Sequence, residues 1–162
     1  MATIGSWTME ADRARTARAY EQTTRGSPAD CGCADCRNFE ALDESAFPEP
    51  FRAWLASLGI DWRKAAEIYA TPVSNGRLTY GGWFHAVGRL LAGPKVEDAP
   101  ILQGTRTRDT TSLWHHVTET FQVFLDERRD LAFQEFGEAP LVKIEFMAAL
   151  PWVLPEEPAV TQ

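Results

Sequence analysis

Residues 67–91 read EIYATPVSNGRLTYGGWFHAVGRLL, and how they fold decides the architecture. Asn75-Gly76 stands between two strand-like runs, and both residues tolerate positive φ, so the pair marks a tight hairpin turn. From about residue 66 the hydrophobic period is that of a strand. Gly81 and Gly82 interrupt the second run. A glycine inside a strand marks a bulge or a close approach by another backbone or a ligand, and a bulge beside Trp83 is the favoured expectation.

Upstream of this point the pattern is helical. In FPEPFRAWLASLGID (47–61), Phe51, Trp54, Leu55 and Leu58 fall at i, i+3, i+4 and i+7, one apolar stripe. Pro48 and Pro50 suit the start of that helix, and Gly59 suits the left-handed residue after its end. Asp61 is placed to cap a further short helix, with Ile60 stapling onto Ala65. Nearer the N-terminus, Thr8 is expected to cap a helix running to about Thr24, ended by Gly26 and Pro28.

Downstream, residues 92–112 form a long excursion, a kind of segment that is often functional. The stretch 117–136 fits a helix or a hairpin. Its Val, Phe and Thr content favours two strands around a turn at Asp126–Asp130. Val142, Ile144, Phe146 and Ala148 then alternate with Lys143 and Glu145, as in a half-buried strand. The expected fold is α+β, with N-terminal helices followed by an antiparallel sheet of about four to five strands. Residues 1–154 are expected to form a single domain and 155–162 a flexible tail.

The chain has 162 residues, 44 % of them apolar, enough for one sizeable core. Its net charge is −7, and nowhere do Lys and Arg gather into a phosphate-binding surface, which argues against a nucleic-acid partner. No apolar run is long enough to span a membrane, and the N-terminus lacks the apolar stretch of a secretory signal. The expected location is the cytoplasm, where thiols stay reduced.

All three cysteines lie in CGCADCRNF (31–39). An odd count argues against a simple disulfide framework. Cys33 and Cys36 form a CxxC, the spacing at which one turn of backbone brings two sulfurs onto one ion, and Cys31 can add a third. Zinc takes four ligands from Cys and His, so a fourth must come from elsewhere. His85 is the preferred candidate, with Asp30 or Asp35 as oxygen alternatives, giving the metal set Cys31, Cys33, Cys36 and His85. A metal-free thiol cluster and redox chemistry both remain open. His115 and His116, adjacent in a strand-like run, point to opposite faces and are poorly placed to share an ion. Asn38 is expected to brace the cysteine loop, and Phe39 to pin it to the core.

CGCADCRNF, LGID, YGGWFHAVG and VKIEFMAALPWVL together resemble a family of small bacterial proteins. In that family a CxCxxCxNF segment precedes an LGID helix end, a YGGW-aromatic-His strand and a C-terminal LPWVL. The resemblance implies a bacterial origin and a single domain, and it brings no assigned activity.

The leading expectation is a non-enzymatic domain with a structural zinc or thiol cluster, acting through protein–protein interaction. Trp7, Trp114 and Trp152 near the ends of elements point to a homodimer or a protein partner. The alternative is a metal- or thiol-dependent hydrolase or reductase whose cleft lies near residues 92–112.

Overall fold

The structure is a computed structural model and describes residues 1–73, 77–156 and 158. In chain order it runs β1 (Ala2–Ile4), β2 (Trp7–Ala11), α1 (Arg13–Gln22), α2 (Ser27–Cys31), α3 (Ala34–Ala41), α4 (Glu49–Leu58), β3 (Glu67–Val73), β4 (Arg77–Ala92), β5 (His115–Thr118), β6 (Phe121–Asp126) and β7 (Leu141–Ala149). The fold is α+β, with seven strands among the described residues in one antiparallel sheet rather than four or five.

β4 is the spine of that sheet. Its 16 residues pair with β7 along one edge, and with β3 and then β2 along the other. Asn75-Gly76 lies outside the described residues, but the strands flanking it pair in antiparallel register, Ala70 opposite Tyr80. β6 and β5 continue the sheet beyond β7, and β1 adds to β2.

Between β3 and β2 the edge of β4 is open, and α1 closes it with side chains. The Tyr20 hydroxyl accepts from His85 N–H and donates to the His85 carbonyl, both at 3.2 Å. The Thr16 hydroxyl accepts from Val87 N–H at 2.9 Å. Thr16 and Tyr20 are one helical turn apart, so a single helix face satisfies strand groups that no neighbouring strand reaches.

Several expectations are corrected here. Two strands precede the helices: Trp7 and Met9 are buried and alternate with Thr8 and Glu10, a period of two where a helix was expected. Asp12, not Thr8, caps α1, its Oδ1 accepting from Arg15 N–H at 3.0 Å. No helix follows Asp61. Its carboxylate accepts from Arg63 N–H in a turn, and Ala66 N–H already donates to Trp83 O in the sheet. β6 forms as expected, but it pairs back to β5, and between Asp126 and β7 the chain makes only the short 3-10 turn Gln134–Phe136.

There is no bulge at Gly81-Gly82, which pair in unbroken register with Tyr69 and Ile68. The glycines instead admit close neighbours. A Cβ at Gly81 would stand 2.2 Å from the Tyr69 ring, and one at Gly82 would stand 2.5 Å from the Glu67 carbonyl. The expectation for 51–59 holds: Phe51, Leu55 and Leu58 are buried and Gly59 is left-handed, with φ 81°.

The two faces of the sheet differ. Tyr80, Phe84, Phe121 and Phe146 meet Phe39, Phe47 and Phe51 from the helical layer, with the Phe47 ring 5.1 Å from Phe146 and 5.3 Å from Phe121. The opposite face carries Trp83, His85, Lys143 and Glu145, and residues 127–139 strap across it. Trp83 Nε1 donates to Asp130 O at 2.9 Å, and the Arg129 guanidinium donates to the Gly137 and Ala139 carbonyls.

Trp7 is fully buried, not a surface anchor. Its Nε1 donates to Pro94 O at 3.1 Å and its ring meets Phe124 edge-on. No helix among the described residues is long and apolar enough to cross a membrane.

Candidate metal centre

The cysteine loop is built by two short helices meeting at a glycine. α2 ends at Cys31, and Gly32 turns the chain in the left-handed region, with φ 71°. Cys33 then caps α3, its Sγ accepting from Cys36 N–H at 3.5 Å. The three ligand atoms of Cys31, Cys33 and Cys36 lie within 4.8 Å of one another. Around zinc, with Zn–S of about 2.3 Å, tetrahedral sulfurs stand roughly 3.8 Å apart, so these thiols need close by no more than about 1 Å.

The sulfurs are unlike in their surroundings. Cys31 and Cys33 are exposed and Cys36 is buried. Cys33 N–H, then the Cys36 and Cys33 thiols, donate toward the Cys31 sulfur and hold its pKa below the ordinary thiol value. Burial, and donation to its two neighbours, push the Cys36 thiol well above it. A cation bound by such a cluster would replace its thiol protons, since the thiolate is the metal-ligating form.

α3 also ties this loop to the far end of the chain. Asn38 is fully buried and donates at 3.0 Å both to the Tyr80 hydroxyl and to Pro151 O. Its Oδ1 accepts from Val153 N–H at 2.7 Å. Asn38 thus clamps the LPWVL segment rather than its own loop, while Phe39 is pinned in the core as expected. Arg37 pairs with Glu156 at 2.6 Å, and Trp152 Nε1 donates to the Glu156 carbonyl. The contacts of this segment reach Glu156, and residues 157 and 159–162 lie outside the described residues.

The structure brings the three cysteines together and places His85 elsewhere. Tyr80, which touches α3 through Asn38 and Asp35, and His85 are five positions apart on β4, about 16 Å along the strand and on opposite faces. The Asp30 and Asp35 carboxylates also stand outside the sulfur group. Among the described residues no fourth His, Cys, Asp or Glu joins it. His116 is exposed on β5, and the His115 ring packs over Gly5.

His85 belongs to a second polar cluster, which the sequence reading did not assemble. It lies opposite Lys143 in the β4–β7 register. Lys143 is 4 % exposed, and its Nζ lies 3.2 Å from Glu145, 3.5 Å from Asp130 and 4.0 Å from Asp126, over the Trp83 ring. Tyr69 donates to Glu145 at 3.4 Å. Both His85 nitrogens are buried without a hydrogen-bond partner. Burial first, then Lys143, with Arg129 adding and Asp130 opposing, lowers its pKa to about 4, so the imidazole is neutral. The alternation of 142–148 put Lys143 and Glu145 on one face, but nothing local pointed to Asp126 and Asp130 as their partners.

A cleft of about 610 Å³ does lie beside the 92–112 excursion, lined by Leu90, Pro94, Val96, Leu125 and Arg128 among others. It is at the other end of β4 from the thiols: Tyr80 and Leu90 are ten positions, about 33 Å, apart. Compared with protein-family models, curated proteins and solved structures, the chain matches none. The resemblance seen in its motifs is thus left without support from these comparisons, and a functional reading has to stand on the chemistry of the site.

Proposed function

We propose that this protein is a non-enzymatic zinc-binding domain whose Cys31, Cys33 and Cys36 thiolates hold the ion and brace α2 against α3. The observation that carries this reading is the convergence of three sulfurs within 4.8 Å at the junction of two short helices. A five-residue and an eight-residue helix are too short to be stable alone, so a metal clip at their junction contributes directly to folding. Three soft ligands suit zinc or another thiophilic ion over magnesium or calcium. The fourth position falls to a group from outside the loop, water or a partner's side chain. Protein purified without chelator should carry about one zinc per chain by elemental analysis.

The reading extends to a protein partner, with a homodimer favoured. Leu91, Ile101 and Leu102 are exposed in and beside the 92–112 excursion, and Trp114 and Trp152 are half-buried. Light scattering at micromolar concentration tests this: twice the 18.1 kDa chain mass supports it, and a single-chain mass unchanged on dilution removes it. Reduced thiols suit a cytoplasmic location.

The enzyme alternative needs reactive groups beside a cleft. The separation of the thiols from the 92–112 cleft weighs against it, as does the distance of His85 from the sulfurs.

A further inference from the structure

Zinc fills four positions, and among the described residues the cysteine loop offers three donors. A soft centre that is complete with three sulfurs needs nothing from outside the loop. Trivalent arsenic is such a centre. It bonds to three sulfurs as a pyramid, and its lone pair occupies the open side.

The loop is built to converge on one atom. Cys33 caps α3 and Cys36 follows one turn later, so the start of a single helix sets two of the sulfurs. Cys31 joins them across Gly32, which turns at φ 71° and has no atom within 4 Å of the position its Cβ would take. All three sulfurs already lie within 4.8 Å of one another. Charge points the same way. Three thiolates around a divalent ion leave one net negative charge, on a chain of net charge −7 with Asp30 and Asp35 flanking the cysteines and Arg37 paired with Glu156 at 2.6 Å. Three thiolates around trivalent arsenic leave none.

We propose that Cys31, Cys33 and Cys36 together form a binding site for trivalent arsenic, taken up as arsenous acid. The proposal shares with the zinc reading the convergence of the three sulfurs, and it does not need zinc to bind. In the uptake step three As–O bonds break and three As–S bonds form. The three thiol protons leave with the three hydroxyl groups as three waters. Arsenic stays trivalent and no sulfur is oxidised, so the step needs no other reactant.

The test uses metal-free protein and sodium arsenite, with a phosphine as reductant because a dithiol would itself take the arsenic. Native mass spectrometry should show one arsenic per chain in place of three hydrogens, with no thiol left for iodoacetamide. Cys31 and Cys33 are exposed, so Cys31→Ser and Cys33→Ser keep the fold. Each should weaken binding by about a hundredfold or more, because the third bond to a shared atom is lost. An adduct that leaves one thiol free, wild-type affinity in either variant, or no adduct at micromolar arsenite would each overturn the proposal. Arsenic uptake by a chain that binds no zinc would keep this proposal and remove the zinc reading, and zinc uptake without arsenic would do the reverse.

Discussion

The two polar clusters of this protein lie in different regions and were assembled in different ways. The cysteine cluster comes from six consecutive residues, has two of its three thiols at the surface, and gathers around a single glycine turn. The Lys143 cluster draws on β3, β4, β6, β7 and the strap over them, and it is buried. The first is the candidate site, because its three sulfurs stand close enough together to hold an ion. The second is a fastening, because its central cation, Lys143, is buried among carboxylates from three different segments that it holds together. If that contrast is right, disturbing the buried cluster should cost folding stability, and disturbing the exposed one should cost ligand binding.

The largest effect is expected at Lys143. Lys143→Met leaves Glu145 without its cation and Asp126 and Asp130 with Arg128 alone, and should cost about 3–5 kcal/mol in urea denaturation. A loss below about 1 kcal/mol would mean that the cluster is solvated and the contrast is false.

His85 sharpens the same point through pH. Its folded pKa of about 4 lies below the ordinary 6.5, so between these values the unfolded chain binds the extra proton. Its contribution is complete above pH 6.5, falls as pH drops toward 4, and is gone below that, a total of about 3 kcal/mol. His85→Leu should remove this part of the acid slope. A variant with the wild-type slope would place the titration elsewhere.

Asn38 fastens the cysteine helix itself, reaching across to Tyr80 on β4 and to the C-terminal segment. Asn38→Ala leaves Pro151 O and Val153 N–H without partners and should cost about 1–3 kcal/mol. Trp152 fluorescence should shift as its segment loosens. An unchanged Trp152 signal would show that the clamp does not hold that segment.

The smallest stability effect belongs to Cys31. In metal-free protein Cys31→Ser should change stability by less than about 0.5 kcal/mol, because the side chain is exposed. The same variant should lose zinc. A large folding defect without metal would give the exposed cluster the structural character assigned to the buried one.

The sequence revealed what local chemistry specifies. The α4 stripe, the left-handed Gly59, the strands on each side of Asn75-Gly76 and the cysteine loop all follow from spacing within a dozen residues. It hid what topology specifies. Trp7 and Met9 make a strand too short to outweigh the alanines that follow. Gly81 and Gly82 looked like a bulge because the Tyr69 ring that needs their space is a cross-strand neighbour. His85 looked like a ligand because nothing in the chain before it tells which face of β4 it shares, or that Lys143 stands opposite. At the candidate metal centre, the grouping of the three sulfurs was legible, and the distance of His85 from them was not.

The most direct test of the account is the metal content of protein purified without chelator, measured with thiol titration on the same sample. The account predicts about one zinc per chain, three thiols slow to react until a chelator is added, and a lower melting temperature once the metal is removed. Metal-free protein with three freely titrating thiols, and melting unaffected by added zinc or chelator, would contradict it.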